Sequence, residues 1–342
     1  MKNFSICIPA YNRFKELDDL LDSIVKEEYQ DYEIVIAEDD SPEREKISKV
    51  VQKYKNLYPN IIIKYSENEY NFGYDKNYRR LIDMSEGKYC FFMGNDDLVY
   101  SGGLKSAANI LDKYKNVGVV IRTYATFFKE TKKIEEVFRY SKNELYLPPS
   151  PSSIAFAFRR SVVMSGMIYE RESAKNLHHD MFDGTLLYQL YLVSKILEKK
   201  HVVLNPDITV LVRTGGIPDF GNSKIEKSKF TPRKQNPESS INFVKGMLDI
   251  ARYAGKENKK IFQLISNDIS CYSYPIISIQ ANRKKGKFLK YIFSLIKLGL
   301  GKNILFYIYV FVLLFFGKNI TDYFIKICKR TIGYTPRFFN FI

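Results

Sequence analysis

Tryptophan is absent from this 342-residue chain, and its four cysteines, Cys7, Cys90, Cys271 and Cys328, stand far apart with no CxxC pair. That spacing argues against a disulfide or metal role and predicts reduced, buried thiols in a cytoplasmic protein. No GxxxxGK[ST] phosphate loop occurs, nor the Gly-rich start followed by Arg and Lys that a nucleotidyltransferase would carry. A secretory signal needs an apolar stretch of roughly 7–15 residues behind a basic start. Here Met1-Lys2-Asn3 leads into a short run ended by Pro9, so no export is expected. Acid is scarce at the other end. From Arg283 to Ile342 there are 12 Lys or Arg and one acid, Asp322, so +11 of the formal +15 belongs to the tail.

What is present excludes a disordered or fibrous chain, since 45% of residues are hydrophobic. The length suits one large domain, or a domain with an appendage, and is enough to bury a core and build a cleft. We expect a sheet domain over residues 1–240 and a helical region over 241–342.

Phe4 to Ile8 is a short apolar run closed by Pro9, and Leu17, Leu20, Leu21, Ile24 and Val25 then follow the spacing of one helix face. The alternation repeats. Strands are expected at Glu33–Ala37, Ile61–Tyr65, Tyr89–Met93, Val117–Thr123 and Ile208–Val212, with helical faces between the first of these. Such alternation predicts an α/β fold with a mostly parallel sheet flanked by helices, whose ligands sit at the carboxyl ends of the strands. Leu147 to Ser153 is too rich in proline for a helix, and the Gly- and Pro-rich stretch from Thr214 to Pro237 reads as a mobile loop before further helices.

Three strand ends are polar: Pro9-Ala10-Tyr11-Asn12-Arg13, Glu38-Asp39-Asp40-Ser41 and Gly94-Asn95-Asp96-Asp97. Carboxylates gathered at one sheet edge repel and need a cation or hydrogen-bond donors to stay charged. A divalent metal, Mg²⁺ or Mn²⁺, bridging one or two carboxylates to a diphosphate answers that need. An isolated Asn-Asp-Asp is more often a solvated turn, so the case rests on the three ends together.

These residues resemble the family 2 glycosyltransferases with the GT-A fold. The likeness runs from Ser5 to about Val120 through Ile6 to Arg13, Tyr32 to Ser41, Asn71-Phe72-Gly73, Glu86 to Tyr89 and Gly94 to Asp97. Within the family it looks most like the abequosyltransferase-like subgroup that assembles bacterial surface polysaccharides. The resemblance implies a Rossmann-like GT-A domain, a nucleotide-sugar donor, and transfer to a glycan or polyprenyl-linked acceptor. It assigns Pro9, Ala10 and Tyr11 to the base pocket and Asp39 to the base itself, with Arg13 and Glu38 nearby. Asp97 is implied as a direct metal ligand, and Asp96 as a ligand or as a contact to the ribose or sugar. Asn95 and Glu38 stand where Asp is usual. Lys76, Arg79 or Arg80 is implied as the diphosphate contact. For inversion a general base is needed, and Asp183 is implied, with Leu186 three residues on, ahead of Asp180. Apart from the resemblance, Arg213 at a strand end is read as a candidate clamp for the diphosphate, with a solvated strand-end arginine as the competing reading. His178 and His179 are adjacent and diverge on regular backbone, so a surface or core role is expected.

The tail holds Ile304 to Phe316, 13 apolar or aromatic residues bracketed by Lys302 and Lys318. A bilayer span needs about 20, so an interfacial helix on an anionic membrane surface is expected, placing the protein peripherally on the cytoplasmic face. A buried helix is the competing reading. The basic residues interleave with aliphatic runs, so nucleic acid is not an expected partner. A catalytically silent membrane-bound scaffold is the rival to an enzyme.

Overall fold

The computed structural model describes residues 2–128, 133–216 and 218–332. Among them, ten strands form one sheet: β1 (Phe4–Ala10), β2 (Tyr32–Glu38), β3 (Ile63–Glu67), β4 (Tyr89–Phe92), β5 (Leu98–Val99), β6 (Val117–Phe128), β7 (Ile134–Phe138), β8 (Leu145–Leu147), β9 (Ile168–Glu170) and β10 (His201–Thr214). Their order is β3-β2-β1-β4-β9-β6-β10-β5, with β7 on β6 and β8 on β10. Strands β1 to β4 pair in parallel, β10 runs parallel to β6, and β9 runs antiparallel between β4 and β6.

The helices are α1 (Phe14–Val25), α2 (Arg44–Leu57), α3 (Tyr74–Met84), α4 (Gly103–Lys113), α5 (Pro151–Arg160), α6 (Arg171–Lys175), α7 (Tyr188–Ile196), α8 (Pro237–Ala254), α9 (Lys259–Cys271), α10 (Tyr274–Ser278), α11 (Lys285–Leu298) and α12 (Ile304–Ile332). The expected face of α1 is the buried one, Leu17, Leu20, Leu21, Ile24 and Val25 all lying in the core. The proline-rich stretch ends in a helix and not a loop. Pro151 sits in the first turn of α5, where its missing N–H costs nothing, and the Ser150 hydroxyl accepts from the Ser153 N–H.

The boundary expected at residue 240 falls inside α8. The helices beyond it are not a separate unit, because one hydrophobic core runs from Phe4 through α7, α8, α9 and α11 to Leu313. Helix α9 packs on α5, and Arg159 of α5 pairs with buried Asp268 of α9 at 2.7 Å. Cys7, Cys90 and Cys271 are free and buried, as expected, whereas Cys328 is exposed. Helix α12 is longer than the apolar run alone suggests and breaks at Gly317 (φ 73°, ψ 170°). By length and composition it could cross a membrane. Phe306 and Leu313 are buried, while Phe311, Phe315 and Phe316 are exposed.

Candidate active site

The carboxyl ends of β1, β2 and β4 open onto a cleft of about 330 Å³, lined also by the end of β10 and by Gly216, Pro218, Asp219, Phe220, Asn222 and Glu226. From the β1 end come Pro9, Ala10, Tyr11 and Arg13, from β2 Asp39, from β4 Asn95, Asp96 and Asp97, and from β10 Arg213. The β1 end turns abruptly, Asn12 and Arg13 both taking left-handed backbone (φ 54° and 65°). Asn95 secures that turn by donating from its amide to the Asn12 carbonyl at 3.0 Å.

Three buried carboxylates accept from backbone N–H groups in and beside the cleft, Asp39 and Glu226 on its wall and Asp75 behind it. Buried Asp39 accepts from the N–H groups of Phe72 and Gly73 (2.8 and 2.9 Å) and from the Asn68 amide. Buried Glu226 accepts from the Tyr74 N–H at the start of α3 and from the Gly221 N–H (2.8 and 2.9 Å), so the long loop is tied to α3. Asp75 accepts from the N–H groups of Thr185, Leu186, Leu187 and Tyr188 at 2.9–3.0 Å and caps α7. Each replaces water at helix or turn donors that would otherwise be buried unpaired.

The acidic pair is asymmetric. Asp96 is paired with the Arg13 guanidinium. Asp97 is buried, accepting from the Ser165 hydroxyl and, at 2.8 Å, from the Arg213 N–H. Burial first, and then the Asp96 charge, push the Asp97 carboxyl up to about 7, against the pull of those two donors and of Arg13. Arg213 is committed elsewhere: its guanidinium donates to the Asp96 carbonyl (2.6 Å) and to Asp19 (3.1 Å), so it braces the acidic turn. Burial raises the Asp39 carboxyl to about 6.

No group of three His, Cys, Asp or Glu able to hold an ion occurs among the described residues. A divalent metal at Asp96 and Asp97 therefore has two protein carboxylates and needs diphosphate oxygens and water for the rest. Mg²⁺ is commonly held in that way, so the donor set fits.

The other expected residues lie outside the cleft wall. Glu38 is fully buried and accepts from the N–H groups of Asp40 and Ser41 and from Arg44, closing the turn between β2 and α2. Arg79 forms a two-pronged pair with Asp183, one prong at 2.7 Å, and donates to the His179 carbonyl. Asp183 does not cap α7, because Asp75 holds the capping place, and it is not among the residues that line the cleft. Asp180 is 89% exposed. Lys76 stands 3.9 Å from the Phe72 ring centre, and Arg80 donates to Ser66. Conversely, Asn71, Tyr74, Asp219 and Glu226 line the cleft though their sequence neighbourhoods gave no such role. Asp219 pairs with Arg233 at 2.9 Å.

Residues 5–166 match the family described as Glycosyl transferase family 2. The chain is 31% identical over 113 residues to abequosyltransferase RfbV of Salmonella typhimurium, 33% of this chain and 34% of that protein. It is 27% identical over 193 residues to the poly(ribitol-phosphate) beta-N-acetylglucosaminyltransferase TarS of Staphylococcus aureus, 53% of this chain and 32% of that protein. The matched stretches thus span about a third of these relatives' lengths. Among solved structures, TarS in complex with UDP superposes with a TM-score of 0.61 at 17% identity, covering 99% of this chain and 94% of that one. A mannosyltransferase of Pyrobaculum calidifontis in complex with GDP-Man and Mn²⁺ gives 0.55 at 13%, covering 94% and 88%. At such identities the likeness establishes the fold, a GT-A sheet with flanking helices.

Proposed function

Because residues 5–166 match the description Glycosyl transferase family 2, we propose that this chain transfers one sugar from a nucleotide diphosphate donor to a hydroxyl of a cell-surface glycan under assembly. The observation that carries this reading is the meeting of Pro9-Ala10-Tyr11, Asp39 and the Asp96-Asp97 pair at one sheet edge. Pro9, Ala10, Tyr11 and Asp39 hold the base, and Asp39 Oδ2, which accepts from the Gly73 N–H alone, keeps an acceptor site for it. Asp96 and Asp97 would hold Mg²⁺ or Mn²⁺, which would supply positive charge to the leaving diphosphate.

The acceptor oxygen bonds to the anomeric carbon as the bond to the diphosphate breaks, which inverts that centre, and the acceptor proton passes to a carboxylate. Asp219 takes this role. It lines the cleft and its ion pair is with the exposed Arg233, whereas Asp183 would first have to leave a two-pronged pair with the largely buried Arg79 and both Glu226 oxygens already accept backbone N–H groups. UDP-N-acetylglucosamine is the first donor to test, since the structural relative TarS was solved with it. The acceptor is read as lipid-linked and the protein as peripheral on the cytoplasmic membrane face, supported by the basic, aromatic α12. Release of nucleoside diphosphate from donor, with and without EDTA, tests the reading and separates it from a silent scaffold and from a nucleotidyltransferase, which would release inorganic diphosphate.

A further inference from the structure

A second, larger cavity of about 990 Å³ lies between α5, α8, α10 and α12. Its size is at the upper end of the about 300–1,000 Å³ usual for ligand pockets. Its wall is mostly hydrocarbon and ring, including Val163, Val244, Met247, Ile308 and Val312. Over most of its wall such a space offers water no partner and suits an apolar guest.

Two features say what that guest is. The first is charge. The ionic side chains on the wall are Arg159, Arg160 and Lys234, with no acid among the lining residues. Behind them the two arginines share one carboxylate, Asp268, and Arg159 Nη2, Arg160 Nε and Asp268 Oδ1 lack hydrogen-bond partners. Arg160 is 3% exposed, and burial lowers its guanidinium to about 10, whereas for Arg159 burial is outweighed by Asp268, which raises it, so two buried cations share one carboxylate. The second feature is continuity. Pro218 and Phe220 line both this cavity and the donor cleft, and Val163 of the cavity is followed in sequence by Met164 of the cleft.

We propose that this cavity holds the hydrocarbon chain of a lipid phosphate, its anionic group near Arg159, Arg160 and Lys234, and that this lipid carries the glycan acceptor. The assignment rests on the glycosyl-transfer reading of the adjoining cleft and adds to it where the acceptor's lipid end is held. Helix α12 then has two duties: its exposed Phe311 and Phe315 face outward, and Ile308 and Val312 contact the chain.

The probe is geranylgeranyl phosphate, with geranylgeraniol and inorganic phosphate as partial ligands, measured against the full chain by thermal shift and equilibrium binding. Nucleoside diphosphate release from donor is measured in parallel. The expected result is saturable 1:1 binding of geranylgeranyl phosphate, at least tenfold weaker for geranylgeraniol and absent for phosphate alone. Val312→Trp and Ile308→Trp, which fill the space from α12 without touching the sheet core, should each weaken lipid binding at least tenfold and leave donor hydrolysis unchanged. Lipid binding that ignores both substitutions, or no binding by a protein that does hydrolyse donor, overturns the site while leaving the glycosyl-transfer reading intact. Lipid binding by a protein inert toward every donor overturns the acceptor role, and the failure then lies in the catalytic reading.

Discussion

Gly73→Ala is the substitution whose cost the structure lets us work through. Gly73 has φ 84° and ψ 164°, a region open essentially to glycine alone, where another residue costs on the order of 1–3 kcal/mol. A Cβ there would lie 2.7 Å from Ser223 Oγ and 2.8 Å from Glu226 Oε1. Glu226 has to move, and the Tyr74 N–H that it caps loses its acceptor, worth about 1–3 kcal/mol for a buried donor. Alanine also restricts the unfolded chain, which returns about 0.4–1 kcal/mol. The net loss is about 1–6 kcal/mol, centred near about 3 kcal/mol and so below the 5–15 kcal/mol of a typical domain. The protein should therefore fold, with a lower urea midpoint, and should bind donor at least tenfold more weakly because residues 218–226 no longer seat on the cleft. Gly216→Ala is the control: a Cβ there meets nothing within 4 Å, and stability should stay within about 0.5 kcal/mol of wild type. Equal midpoints and equal donor affinities for the two variants would refute the coupling of loop to cleft.

Asp219→Asn should lower turnover by about 10²–10⁴ with donor affinity little changed, and Asp183→Asn should act chiefly on stability by breaking the Arg79 pair; kcat of the two variants decides, and the reverse pattern returns the base to Asp183. Asp39 has its folded pKa raised from 3.8 to about 6, so its protonated form is favoured by the fold and the free protein loses stability from this group as pH rises from about 4 to 6. If Asp39 accepts from the base, donor affinity measured by titration should fall about tenfold per pH unit below 6, and a flat profile would remove it from the base pocket. Phe311→Glu and Phe315→Glu, at 56% and 71% exposure, should release the protein from anionic vesicles in a flotation assay without lowering its melting temperature. Cutting before Arg283 is a poor test of the same point, because Phe288, Tyr291, Ile292 and Leu295 of α11 belong to the core.

The parallel half of the sheet was legible because its strands are buried on both faces and read as unbroken apolar runs such as Ile6-Cys7-Ile8 and Ile34-Val35-Ile36. Strands β5, β7, β8 and β9 are short, and β7 is only partly buried, so neither length nor alternation marked them. At the site, the strand-end groups Pro9 to Arg13, Asp39 and Asn95 to Asp97 were legible because chain order and topology alone bring them to one edge. Arg79 and Asp183 each suit a site role by residue type, and only tertiary contact shows that they pair with each other. Asp219 and Glu226 were hidden because they reach the cleft from a loop with no periodic pattern, docked by hydrogen bonds to backbone about 150 residues away in sequence, as Glu226 to Tyr74 illustrates. The capping role of Asp75 was equally unmarked, its partners lying 110–113 residues on.

The claim at the centre of this account is that the Asp96-Asp97 cleft breaks a nucleotide-sugar bond with a divalent metal. It is tested most directly by nucleoside diphosphate release from a panel of nucleotide sugars, UDP-N-acetylglucosamine first, with Mn²⁺ or Mg²⁺, with EDTA, and with Asp97→Ala. We predict metal-dependent release from at least one donor, lost by a factor on the order of 10² or more in EDTA and in a folded Asp97→Ala protein. No release from any donor, or wild-type release by Asp97→Ala, would contradict it.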